Sequence, residues 1–229
     1  MHKNQSIRTK SIVLKRVNYG EADRILTLLT QVGQISAIAR GVRREKSKLA
    51  GGIELFGVSD ITLQAPKTGT LHTITSSRLE KFYSQIVNDL ERLELGYMAI
   101  KLIAKSSADS NEPVWFQLLR DTFAGLNDPQ INRDLIEIWL LLNIAKYTGY
   151  EINLERDCQD NLLKPSLKYI YDINERGLRQ DANGSMTADH IKFLRIINLA
   201  SLKTAAQVGG VAKIMPQCLT VAREHAAVY

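Results

Sequence analysis

From Arg8 to Ser77, apolar and polar residues alternate in short runs rich in Ile, Val, Leu and Thr. Period-two alternation of this kind is the signature of half-buried strands. It predicts strands over Arg8–Val17, Arg24–Thr30, Gln34–Arg40, Val58–Gln64 and Leu71–Ser77. Asn18-Tyr19-Gly20 and Pro66-Lys67-Thr68-Gly69 supply turn chemistry, and Val32-Gly33 joins the second and third strands as a hairpin. Five short antiparallel strands in about 80 residues fit a small closed barrel, which leaves few exposed edges.

After Leu79 the period changes. Ile86, Leu90, Leu93, Tyr97, Ile100 and Ala104 recur at spacings of three and four, which predicts one apolar helix face. Asn111-Glu112-Pro113 opens a second helix presenting Trp115, Leu118, Leu119 and Phe123. Asn127-Asp128-Pro129 punctuates again before a third helix, Gln130–Thr148, apolar nearly all round and therefore the expected centre of a bundle. The stretch from Glu151 to Gly184 is polar and irregular, with a short strand at Tyr169–Ile173 and another near Leu178. Helix returns over Thr187–Leu199 and from Val208 towards Ala226. The pattern divides the chain into a barrel domain, residues 1–80, and a helical domain, residues 81–229, that includes the irregular 151–184 segment.

Charge sharpens this division. Residues 1–80 carry 13 Lys/Arg and 6 Asp/Glu, a net +7, whereas residues 81–229 carry 17 and 18, a net −1. An excess confined to one end points to a partner with dense negative charge: nucleic acid phosphate first, an anionic membrane surface second. No basic-then-apolar leader opens the chain, so no secretory signal is expected. The longest apolar run, Leu135–Ala145, is too short to span a bilayer. Two cysteines, Cys158 and Cys218, make no disulfide framework and fit a reducing cytoplasm.

The sequence carries no recognisable catalytic constellation. The G-x-x-x-x-G-K-[ST], G-x-G-x-x-G and H-E-x-x-H motifs are all absent. His2, His72, His190 and His225 are scattered, and neither cysteine has a C-x-x-C partner. The expectation is therefore no enzyme, no cofactor, no metal and no small-molecule substrate. The segment "ARGVRREKSKLAGG" stands out instead: Arg40, Arg43, Arg44, Lys46 and Lys48 surround a single acid, Glu45, and glycines 41, 51 and 52 bracket the run. Charge runs usually solvate a surface, but Lys10, Lys15 and Arg16 add positive charge on the first strand of the same barrel, where acids are few. The expected role is a mobile phosphate-binding arm, with the glycines allowing close backbone approach. Aromatics able to stack bases are sparse here: Phe56 reads as a core plug, and Tyr19 is open to either reading.

The run from Ser11 to Phe56 closely resembles the amino-terminal segment of bacterial RecO recombination mediators. Tyr-Gly-Glu-Ala-Asp-Arg (Tyr19–Arg24), Ala-Arg-Gly-Val-Arg-Arg (Ala39–Arg44) and Ser-x-Leu-x-Gly-Gly (Ser47–Gly52) occur in the right order and spacing. The resemblance implies an α+β architecture: a five-stranded OB-fold barrel, then an α-helical bundle, with the Gly41–Gly52 loop joining strands three and four where many such barrels place a helix. It also implies a non-enzymatic, cytoplasmic and nucleoid-associated role in repair. Members of that family bind single- and double-stranded DNA, anneal complementary strands and help RecA replace single-strand-binding protein. The implied partners are RecR and the acidic, apolar-ended tail of single-strand-binding protein.

One departure matters. Many members carry a four-cysteine zinc module after a Gly-Tyr like Gly149-Tyr150. Here Asn161 stands where the cysteine paired with Cys158 would fall, and no later pair follows. No zinc is expected, and the short strands near 169–178 would be a remnant held by packing alone. Recruitment of an anionic tail needs an apolar groove with a cation at its rim, for which Arg133 near the start of the third helix is one candidate. The basic barrel by itself also leaves room for an RNA-binding accessory factor or a protein–protein adaptor.

Overall fold

The computed structural model describes residues 6–227. Alternation in the first third folds into strands β1 (Ser6–Tyr19), β2 (Asp23–Thr30), β3 (Gly33–Ala39), β4 (Gly57–Gln64) and β5 (His72–Phe82). They close in the order β1-β2-β3-β5-β4, with β4 returning to β1. All pairings are antiparallel except β3 with β5, which is parallel and joins only Ala37 to His72 and Ile38 to Thr73. This is the OB-type barrel expected from the sequence, with β1 and β5 longer than predicted. A bulge between Val13 and Lys15 re-phases β1, so Leu14 has no partner on β2.

The barrel interior is filled by Val13, Leu26, Leu28, Ala37, Ala39, Ile61, Leu63 and Ile74. Val42 and Ile53, both from the β3–β4 connection, complete it. Ile12 and Leu29 are buried on the opposite face of β1 and β2, where α2 and α3 pack.

Three helices follow: α1 (Ser84–Asn88), α2 (Leu90–Ser106) and α3 (Val114–Leu126). The apolar stripe predicted for the first helix spans α1 and α2, and on α2 it is rotated. Leu90 and Tyr97 are 71% and 50% exposed, while Leu95, Gly96, Ala99, Ile100 and Ile103 are buried. The cause is Asp89, whose carboxylate accepts from the Arg92 amide at 3.1 Å and starts a new helix, so Ile86 and Leu90 do not share a helical phase. Gln34 on β3 ties the barrel to the end of α2, donating to the Ala104 carbonyl at 2.7 Å and to Ser107 Oγ at 2.9 Å. Phe56 is the expected core plug, packing edge-on to Tyr97 and Phe123 at 5.1 and 5.5 Å between centroids.

The chain divides into two compact units, residues 1–127 and 128–229. The change from strands to helices falls between Phe82 and Ser84, and α1–α3 belong with the barrel.

The second unit centres on α4 (Arg133–Tyr147), capped by Asn132 and buried without interruption from Leu135 to Ala145. Around it lie α5 (Ala188–Leu199), α6 (Leu202–Ala205) and α7 (Met215–Ala226), the last starting seven residues later than Val208. Strands β6 (Tyr169–Asp172) and β7 (Gly177–Gln180) are the two short strands expected there, and they pair antiparallel. His190 has a local structural role, since its Nδ1 accepts from the Thr187 amide at 3.2 Å and closes the N-terminus of α5. Among the described residues no helix is long and apolar enough to cross a membrane.

Candidate nucleic-acid interface

The β3–β4 connection carries its apolar and basic residues in opposite directions. Val42 and Ile53 enter the barrel, and Leu49 and Ala50 pack against its core, while Arg40, Arg43, Arg44, Lys46 and Lys48 reach the surface. In place of a helix there are turns and one short 3-10 turn, Ala50–Gly52.

The connection is an anchored loop, which corrects the expected mobile arm. Asp23 Oδ1 accepts from the Gly41 amide at 2.7 Å, and the Ala22 carbonyl accepts from the Arg43 amide at 2.9 Å. At the far end, Ser77 Oγ donates to the Leu49 carbonyl at 2.9 Å. Two glycines make this path possible. Gly41 has φ +63°, a left-handed conformation that costs a side-chain-bearing residue energy. Gly52 lies so close to β5 that an added Cβ would stand 2.4 Å from Ser77 Oγ and 2.9 Å from its carbonyl carbon. Gly51, by contrast, has open space around it.

The anchoring leaves the cations unneutralised. Among the described residues no carboxylate lies within 4.0 Å of the charged groups of Arg40, Arg43, Arg44, Lys46 or Lys48. Arg43 Nη1 donates to the Gly20 carbonyl at 3.3 Å, which sets its guanidinium beside the β1–β2 turn. Lys15 is exposed on β1 near that turn. The other two expected residues are engaged: Arg16 pairs with Glu54 at 2.5 Å, and Lys10 with Glu80 at 2.7 Å. Lys10 also lies six residues from Arg16, roughly 20 Å along the strand, and so outside the cluster. The structure thus brings Arg43 to the β1–β2 turn, near the end of β1 that carries Lys15, and leaves Lys10 paired with Glu80 further along the same strand.

Residues 1–83 match the family model described as "Recombination protein O N terminal". Over 163 residues the chain is 35% identical to the DNA repair protein RecO of Dehalococcoides mccartyi (strain CBDB1), covering 69% of this chain and 62% of that one. The chain is similar to RecO proteins, most specifically over residues 1–83. The Roseiflexus sp. (strain RS-1) DNA repair protein RecO is 38% identical over 122 residues, 52% of this chain and 42% of the relative. That of Acetivibrio thermocellus is 43% identical over 88 residues, 38% and 34% of the two chains. The chain therefore spans less than two thirds of the length of these RecO relatives.

The residues after Gly149-Tyr150 do not supply the donors of a four-cysteine zinc module, since the cysteines are Cys158 and Cys218. Cys158 is a free thiol, raised in pKa by desolvation and by the nearby Asp172, Glu175 and Asp157 carboxylates. Cys218 is buried on α7, and burial pushes its thiol up to about 12. Among the described residues no three His, Cys, Asp or Glu side chains group as a metal site. Packing alone does not hold the remnant, however. The Asp157 carboxylate accepts from the amides of Gln159 and Asn161, both at 2.9 Å, and closes the turn around Cys158. The Cys158 amide then donates to the Leu178 carbonyl at 2.8 Å, docking that turn onto β7.

Arg133 is already partnered. Its Nη1 lies 3.3 Å from both Asp134 and Glu137, and Glu137 also receives a bidentate pair from Arg223 at 2.5 and 2.8 Å. Those hydrogen bonds raise the Arg223 pKa. Sequence reading missed this network because Glu137 and Arg223 are 86 residues apart. The one available signal was a lone carboxylate inside the apolar run of α4, which must be paired if buried. It also missed His225, whose Nε2 donates to the Tyr150 carbonyl at 2.6 Å while Tyr171 hydroxyl meets Nδ1 at 2.7 Å.

Proposed function

We propose that the chain is a non-enzymatic DNA repair protein whose β3–β4 loop binds the phosphates of single- and double-stranded DNA. The observation that carries this reading is the set of five loop cations without ion-pair partners among the described residues, held on an OB-type barrel whose sequence is similar to RecO proteins. Surface cations paired with carboxylates have spent their charge locally; unpaired ones present it to a polyanion. Lys15 extends the surface. Arg16 and Lys10 would join it only by exchanging Glu54 and Glu80 for phosphate.

Annealing needs no bond chemistry. Two single strands repel through their phosphates, and a cationic surface that screens both raises the encounter rate of complementary bases. A chain acting in this way would assist RecA in replacing single-strand-binding protein, with RecR and the acidic tail of that protein as partners. For such a tail, Arg133 is a contact only if the incoming carboxylate competes with Glu137.

The test is annealing of two complementary oligonucleotides, each coated with single-strand-binding protein, with and without this chain. Acceleration that disappears in the Arg43→Glu, Arg44→Glu double variant supports the reading. No acceleration by the unaltered chain, with DNA binding intact, overturns the annealing role; loss of neither activity in the double variant overturns the assignment to the loop.

A further inference from the structure

We propose that the open outer face of β1 at the β1–β2 turn, carrying Val17 and Tyr19, stacks an unpaired base and gives the site a preference for single-stranded over duplex DNA. This rests on the phosphate-binding reading of the loop and specifies which form of DNA the site selects.

The phase of β1 sets this face. Beyond the bulge, Lys15, Val17 and Tyr19 alternate onto one side, opposite Thr27, Ile25 and Asp23 of β2. The intervening Leu26 and Leu28 belong to the barrel interior, so this row points outward. The same outer face is treated in two ways. Where α2 and α3 pack on β1 and β2, its apolar residues Ile12 and Leu29 are buried. At the turn end the face is open among the described residues, and Val17 and Tyr19 are 47% and 56% exposed.

Charge selects the occupant. Lys15 begins the exposed row. The Arg43 guanidinium reaches the carbonyl of Gly20, the residue after Tyr19, at 3.3 Å. Asp23, opposite Tyr19, is engaged by the Gly41 amide. An exposed phenol with Lys15 on its row and Arg43 beside the next residue fits a strand that offers phosphates and an aromatic face together. Single-stranded DNA does so, whereas a duplex keeps its base faces stacked inside. The first turn of OB-type barrels is also a common place for oligonucleotides to bind. Stacking is indifferent to which base is offered, so the preference concerns strandedness and carries little sequence information.

The experiment measures affinity of the full chain and of Tyr19→Ala and Tyr19→Phe for a single strand and for the duplex of the same length. A 2-aminopurine in the single strand reports stacking. Tyr19→Ala should weaken single-strand binding about tenfold, leave duplex binding within about twofold and abolish the 2-aminopurine quench. Its salt dependence should match the unaltered chain, because no charge is removed. Tyr19→Phe, which keeps the ring, should behave as the unaltered chain. Equal losses on both substrates, no loss on either, or a Phe variant as weak as the Ala variant would overturn the proposal and leave the face to another occupant. If the unaltered chain binds neither substrate, the DNA-binding reading fails on its own arm, and this inference with it.

Discussion

Arginines in two regions of this molecule meet opposite fates. On α4 and α7, Arg133 and Arg223 converge on Glu137, which is only 2% exposed, and their charge is consumed inside the second unit. On the β3–β4 loop, Arg40, Arg43 and Arg44 project from a backbone pinned by Asp23 and Ser77, and no carboxylate among the described residues is positioned to meet them. What separates a structural arginine from one available to a ligand is the counter-charge the fold supplies. A carboxylate buried with its cation costs desolvation and fixes geometry, whereas an anchored loop without one holds a positive surface ready for phosphate.

The comparison can be broken most forcefully at Glu137. Replacing it with Gln leaves two guanidinium groups without their shared anion. The second unit should lose about 2–3 kcal/mol, read as a lower urea midpoint, while DNA affinity stays unchanged. A stable Glu137→Gln variant would show that the network contributes nothing. On the other side, Gly52→Ala should cost roughly 1–3 kcal/mol in the barrel unit, because the new methyl meets β5 backbone. It should also weaken DNA binding by displacing the loop, and a neutral result in both assays would contradict the anchored-loop description.

Acid sharpens the contrast between the units. Burial lowers the pKa of His225, and that of His190 likewise. The folded values then lie below the ordinary value near 6.5, so the unfolded chain binds more protons as pH falls through that region. Stability of the second unit should be greatest above about pH 6.5 and decline below it. Each unit holds one tryptophan, Trp115 and Trp139, so single-tryptophan variants can follow them separately. Urea midpoints at about pH 7.5 and about pH 5.5, either side of the ordinary histidine value, should fall further for the Trp139 reporter, and the opposite order would refute the assignment. The smallest effect belongs to Lys10→Ala. Its half-exposed pair with Glu80 is worth under about 1 kcal/mol, and DNA affinity should hardly move. A large affinity loss would return Lys10 to the interface.

Much of this was legible from local pattern. Strand alternation gave the barrel, because pairs such as Leu26 and Leu28, Ala37 and Ala39, and Ile61 and Leu63 fall at every second position and enter its interior. The continuous apolar run in α4 gave the bundle centre. The phase of α2 was not legible, since Asp89 reads equally well as a polar residue inside one helix and as the cap of a new one. At the site, the basic run was visible as composition, but its anchoring was not. Val42 reaching the barrel core, Asp23 gripping Gly41 and Ser77 gripping Leu49 are contacts between segments up to 28 residues apart. Sequence showed the cations of Lys10 and Arg16; only folding showed that Glu80 and Glu54 meet them.

The most direct test of the central claim is the salt dependence of single-stranded DNA affinity, measured for the unaltered chain and for the Arg43→Glu, Arg44→Glu double variant. Each phosphate contact made by the loop releases counterions and steepens the log–log slope by about 0.7. Loss of two contacts should therefore weaken binding at every sequence alike and flatten the slope by at least about 1.4. An unchanged affinity and an unchanged slope would mean that the loop cations face only water.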